Sequence, residues 1–180
     1  SYNTALGNRA LYSNTTASNN TAVGYQAGYS NTTGTEFLAL GYQAGYTNAT
    51  GTVLTALGYQ ALYSTNGATQ NVGVGHRAGY AVTTGSYNAT VGVNSLRFTT
   101  TGSYNTALGG DALFSNTTAS SNTAVGYQAG YSNTTGSVDA FGYHALYYAS
   151  TGSSNSAFGT NSQLNTTTGS YNVSFGGASL

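Results

Sequence analysis

The sequence predicts an all-β protein, a parallel β-solenoid of about eleven coils of one 17-residue unit. Three observations carry that expectation. A glycine recurs at Gly7, Gly24, Gly41, Gly58, Gly75, Gly92, Gly109, Gly126, Gly142, Gly159 and Gly176, seventeen residues apart except for one interval of sixteen between Gly126 and Gly142. Helix breakers recur in every copy, so no stretch of ten residues favours a helix. The segments between them are about five residues long, which is strand length. Two short strands and two turns then describe one coil, and successive coils stack in parallel at about 4.8 Å.

The unit is numbered from the Asn of N-T-A-L-G, so that Asn3 is position 1. Units then start near residues 3, 20, 37, 54, 71, 88, 105, 122, 138, 155 and 172. Residues 1–180 read as a single repeat domain, expected to be a fragment of a longer fibre. Position 4 is always large and apolar, from Leu6 and Val23 to Phe158 and Phe175. It accepts no polar residue, so it is expected to face the interior of the roll. Positions 3 and 5 are small, as in Ala22 and Gly24, and alternation expects them to point outward. A column of Ala and Gly on an outer face suits the close approach of another backbone.

In the expected second strand, position 7 (Arg9, Gln26, Gln43, Asp111, His144) is the solvated side. Ala at position 8 and the aromatic residues at position 10 turn inward or toward a neighbour. Positions 12 to 16 read N-T-T-G-S or a near variant and form the outer turn. There Asn and Gly supply left-handed backbone angles and Thr caps local amides. A longer period also exists: residues 1–34 and 103–136 differ only at Asn8/Gly110, Arg9/Asp111, Tyr12/Phe114 and Asn19/Ser121.

Composition narrows the function. Charged residues make up 3% of the chain and formal net charge is zero, against about 25% charged in an ordinary domain. Six formal charges cannot build a basic groove, so no nucleic-acid partner is expected. No apolar run is long enough to insert this segment into a membrane as a helix. Cysteine is absent, which removes disulfides and thiolate chemistry. Low complexity would suit a disordered linker, but 13% aromatic and 39% hydrophobic residues at fixed intervals imply a buried stripe. The core is nevertheless thin. Burying one Leu is worth about 2 kcal/mol, while each ordered residue costs on the order of 1.5 kcal/mol. An isolated roll therefore looks marginal, and self-association into a homotrimer around a central axis is expected.

The phrase A-[LV]-G-x-x-A/S, as in "TAVGYQAG" and "VGVGHRAG", resembles the head repeat of YadA-type trimeric autotransporter adhesins. The fuller pattern through S-N-T-T-G is similar to repeats of bacterial surface fibres and phage tail-fibre-like proteins. The resemblance covers the whole chain. It departs in unit length, the adhesin unit being nearer 14 residues, which enlarges the turn here. It implies a left-handed β-roll in a homotrimeric fibre, extracellular at a cell surface or on a virion, and used for attachment.

The candidate residues fit a scaffold better than a catalyst. The acids Glu36, Asp111 and Asp139 and the histidines His76 and His144 are scattered at positions 17, 7, 2, 6 and 7 over four units. No acid–base pair is expected to converge, so neither an enzyme nor a cofactor or metal is expected. His76 could meet symmetry mates near a trimer axis, but a solvated ring beside Arg77 is the preferred reading. The Tyr column at position 6 (Tyr25, Tyr42, Tyr59, Tyr127, Tyr143) is a candidate contact for surface glycans, or simply a ladder that supports the strands. Asn14, Asn31, Asn48, Asn116 and Asn133 open N-x-Ser/Thr sequons and are candidate glycosylation sites, with turn chemistry the favoured alternative. Thr columns at positions 13 and 14 could bind ice, ranked low because they lie in a turn. The expected function is a structural and adhesive fibre segment; the alternative is a ligand-binding solenoid for glycans or ice.

Overall fold

The computed structural model describes residues 2–179. Eleven short parallel strands, β1 (Thr4–Leu6) to β11 (Val173–Phe175), form a single sheet in chain order, with no helix among the described residues. Each strand pairs in register with the next, as Ala5 with Ala22 and Leu6 with Val23. The architecture is a β-solenoid of about ten turns, as the period predicts.

The coil differs from expectation in having one strand. Positions 6 to 11 form a continuous turn, because positions 7 and 9 take left-handed angles: in coil 4, Gln60 has φ 52° and Leu62 φ 47°. A residue pair such as this cannot remain extended. The backbone is nonetheless bonded all the way round. Gly58 and Gln60 donate to the coil below, at the carbonyls of Leu40 and Tyr42 (both 2.8 Å), while Leu62 and Ser64 donate to the coil above, at Ala78 (2.9 Å) and Tyr80 (3.0 Å).

The strand faces are the reverse of those expected. Position 3 is the interior position: Ala22, Ala39, Ala56, Ala107, Ala124, Ala140 and Ala157 are fully buried. They meet the buried Ala of position 8, such as Ala27, Ala44 and Ala61, across a very narrow roll. At Gly73 even a methyl group would come within 2.7 Å of the Leu62 side chain and 3.2 Å of the Ala78 carbonyl oxygen. A Leu or Phe cannot enter such a gap. The position 4 column therefore stands outside, with Leu40 39%, Leu57 36% and Val91 40% exposed. The small residues do not form an outer packing face. Where the core holds a hydroxyl at position 3, position 8 supplies its partner: Thr90 Oγ1 lies 2.6 Å from Ser95 Oγ, and Ser174 bonds Ser179. That pairing satisfies both groups without water.

Further columns extend the interior, at positions 9, 1 and 12. Position 9 is Leu or Gly in every described coil but one, where it is the buried Gln163, and the Gly coils leave room for a neighbour's large side chain. A Cβ on Gly28 would lie 3.0 Å from both Leu11 and Phe37, and one on Gly79 would lie 2.8 Å from Leu62. Position 1 carries a buried Asn ladder. Asn105 Oδ1 accepts the Asn122 N–H (3.0 Å) and its Nδ2 donates to the Ala119 carbonyl (3.0 Å). Asn88 makes the equivalent pair with Asn105 N–H (3.0 Å) and Gly102 O (2.9 Å). Position 1 is apolar at Phe37, Leu54 and Val138, where the strand starts one residue earlier, as in β3 (Phe37–Leu40), β4 (Leu54–Leu57) and β9 (Val138–Phe141); β10 (Asn155–Phe158) starts there too, with Asn155.

Candidate functional site

The solenoid presents repeated surfaces rather than a cleft. The outer face of the sheet is one of them. Position 4 runs along it as an uninterrupted apolar stripe, ending in a Phe stack: Phe141 to Phe158 to Phe175, with centroids 4.9 and 4.8 Å apart. Position 2 flanks the stripe, with Leu38 and Val72 each 39% exposed. This follows from the strand itself, since alternate residues share a face and the opposite face is filled by Ala.

The aromatic columns are ladders. At position 6, Tyr25, Tyr42, Tyr59 and His76 stack at 5.3, 5.1 and 5.0 Å with planes within 13° of parallel. At position 10, Tyr12, Tyr29, Tyr46, Tyr63 and Tyr80 stack at 5.1 to 5.2 Å. Tyr127 and Tyr143 form a separate pair at 5.8 Å. Rings within such a ladder cover each other's faces and offer only edges and hydroxyls to solvent. A sugar stacks on an exposed face, so Tyr42 and Tyr59, inside the ladder, lack the surface that glycan stacking requires. Position 10 is half-exposed rather than turned inward.

Position 7, expected to be freely solvated, is a half-buried chain of hydrogen bonds between the two aromatic columns. Gln43 Nε2 donates to Gln26 Oε1 (2.8 Å), Gln60 Nε2 to Gln43 Oε1 (3.0 Å) and Arg77 Nε to Gln60 Oε1 (3.0 Å). The Arg77 guanidinium lies 5.8 and 5.6 Å from the Tyr59 and Tyr80 ring centres, within cation–π range. Farther along, Asn94 and Gln128 donate to the Asp111 carboxylate (3.2 and 3.4 Å), and His144 Nε2 lies 2.8 Å from Gln128 Oε1. One amide thus links Asp111 to His144, two titratable groups that the sequence leaves apart. Glu36 and His76 stand in other coils, Asp139 shares the coil of His144 but sits exposed in β9 at position 2, and no group of three potential metal-ligating acids or histidines converges among the described residues.

Burial lowers the His144 pKa below the usual 6.5, because desolvation disfavours the imidazolium. The fold therefore prefers neutral His144, and the unfolded chain takes up a proton first as pH falls. Its contribution to stability is full above 6.5 and is lost as pH falls toward the depressed folded value. Melting temperature is expected to drop more steeply below pH 6.5 for the native protein than for His144→Gln, as followed by circular dichroism.

The sequon asparagines are mostly unavailable. Asn31, Asn48, Asn116 and Asn133 are fully buried, and each donates Nδ2 to the carbonyl three residues on, at 3.0–3.1 Å. In the folded rod these four amides are occupied by the turn rather than presented to solvent, while Asn14 is half-buried. At position 13 the Thr hydroxyls donate to the next coil's carbonyl, as Thr83 to Thr100 (3.0 Å) and Thr117 to Thr134 (3.2 Å). The Thr residues at position 14, such as Thr33 and Thr101, are exposed at the apex of the turn. The inward asparagines were unreadable because turn chemistry and sequons share one residue vocabulary. No helix among the described residues is long and apolar enough to cross a membrane. No family model, curated protein or solved structure matches the chain.

Proposed function

We propose that this chain is a rod-forming segment of an extracellular fibre that mediates attachment, in which three copies pack through their sheet faces and no reaction is catalysed. The observation that supports this reading is the exposed position 4 column. Every coil contributes a Leu, Val or Phe to it, and the interior holds mainly Ala, Gly, Asn and a Leu at some position 9 sites. The stripe runs the whole length of the sheet, with Leu6, Leu40, Leu57, Val91, Leu108 and Phe175 all exposed. Monomers seldom leave so large a contiguous patch in water. A second and third copy of the same face is the occupant that matches its length and its repeat. Attachment and an extracellular setting follow the resemblance to adhesin and fibre repeats.

Sedimentation equilibrium tests the packing. The native chain is expected to sediment as three chains, and the combined variant Leu40→Asp, Leu57→Asp, Leu108→Asp as one. A soluble, stable native monomer overturns the reading.

A further inference from the structure

The coil with sixteen residues, 122–137, breaks an otherwise regular surface. In regular coils the position 17 amide donates to the position 16 carbonyl one coil below: Val53 to Thr35, Tyr87 to Thr69, Ser121 to Ser103, at 3.0–3.1 Å. Coil 8 has no position 17, so the Ser120 carbonyl loses that donor. Above the gap the bonding shifts: Ser154 N–H turns to Ser137 Oγ (2.8 Å) and Asn155 N–H takes the Ser137 carbonyl (3.3 Å). The missing residue leaves a notch of about 230 Å³ lined by Ser121, Ser137, Val138, Asp139, Ser154 and Ser156. Val138 is its buried floor and Asp139 is exposed at its side.

Its chemistry is unlike the rest of the rod. Asp139 replaces the Thr or apolar residue usual at position 2, so one carboxylate meets four hydroxyls in one concavity. Beside it stands an aromatic ring of a different kind from those in the ladders. Tyr104 stacks on Tyr87 at 5.0 Å, but the next residue in that column is Ser121, which has no ring. Tyr104 is accordingly 61% exposed, with no second ring stacked on it, and is separated from the notch by Ser121, which lines the notch. A carboxylate that accepts paired hydroxyls, small donor–acceptor hydroxyls and an open aromatic face are what a sugar ring requires. The notch is smaller than drug-sized pockets of roughly 300 Å³ and above, which suits one ring.

We propose that this notch is a binding subsite for a single pyranose residue of a neutral glycan, held by Asp139 and Ser121, Ser137, Ser154 and Ser156 beside Tyr104. The notch lies at positions 16 to 2 of coils 7 to 10, with Tyr104 at the end of coil 6, and does not depend on the self-association reading. Saturation-transfer NMR on the whole chain, with the methyl α-pyranosides of glucose, galactose and mannose as probes, tests it. At least one probe is expected to bind in the millimolar range. Asp139→Asn weakens that binding about tenfold, the worth of a charge-assisted hydrogen bond, and Tyr104→Ala weakens it severalfold. Insertion of one Tyr between Ser137 and Val138 restores the 17-residue unit and abolishes binding with the sedimenting mass unchanged. Tyr42→Ala, inside a ladder, leaves binding unaltered. Binding that survives both Asp139→Asn and the insertion overturns the proposal, as does calcium ion binding alone with no pyranoside bound. A monomeric chain that binds sugar would overturn the fibre packing and leave the subsite standing.

Discussion

Replacing Gly58 with alanine is expected to destabilise the rod by on the order of 4 kcal/mol, combining backbone strain and steric overlap. Gly58 sits at φ 134°, where L residues are rarely found, and a Cβ there would lie 2.5 Å from the Gly75 carbonyl oxygen and 2.8 Å from its carbon. That neighbour is backbone held in the sheet, so it cannot swing aside. The same geometry repeats at Gly24, Gly41 and Gly75, which explains the one residue that never varies across the repeats. Thermal unfolding should show a fall of about 10 °C or more, the scale for a chain of this size. The chain supplies its own control. Gly110 has no such angle, a Cβ there would meet only the Tyr127 ring edge at 3.3 Å, and coil 1 carries Asn8 at the equivalent place. Gly110→Asn should therefore change stability by less than about 0.5 kcal/mol. An unaltered melting temperature for Gly58→Ala would refute this account of the column.

The second large effect is expected at Asn105→Ala, with a loss of about 3 kcal/mol. Asn105 Oδ1 accepts both the N–H and the Nδ2 of Asn122, at 3.0 and 2.9 Å, and Asn105 is fully buried. Removing the amide strands the Asn122 donors in a dry interior, and each unsatisfied buried group costs about 1–3 kcal/mol. Hydrogen exchange should show the loss confined at first to coils 7 and 8, since each coil bonds only to its neighbours. Uniform protection across the rod in the variant would contradict the ladder's role. Phe37, Leu54 and Val138 show that an apolar residue is tolerated at this position, with the strand lengthened by one residue there. A single truncation in coil 7 lacks that adjustment.

These two columns also show what was legible in the sequence. The strict return of Gly and of the apolar residue at position 4 fixes parallel, in-register stacking, because a one-residue slip would reverse every side chain. Which face is inside was misread, for a physical reason. A lasting apolar residue usually means a core, but this roll is too narrow for a Leu or Phe at positions 3 and 8. The signal lay in the exceptions: Thr90 occurs in the coil that has Ser95, and Ser174 in the coil that has Ser179. Polar residues that appear together in one unit are partners across a core. The expected second strand failed at Gln60 and Leu62, where side-chain alternation resembles a strand but the backbone is left-handed. Among the candidate ligand contacts, the Tyr column was correctly seen as a column. Its occlusion was invisible, since the spacing of the rings in sequence does not say that they lie parallel.

The in-register bonding has a genetic consequence. Asn20–Gly34 and Asn122–Gly136 are identical and sit 102 residues apart. A recombination between their coding segments would excise or duplicate six units with the same reading phase and with equivalent neighbours at the junction. Rod length would then change in steps of about 29 Å, six coil spacings, while cross-section and surface columns are inherited intact. Reach becomes a heritable variable that can be altered in one event, without a new fold having to be found.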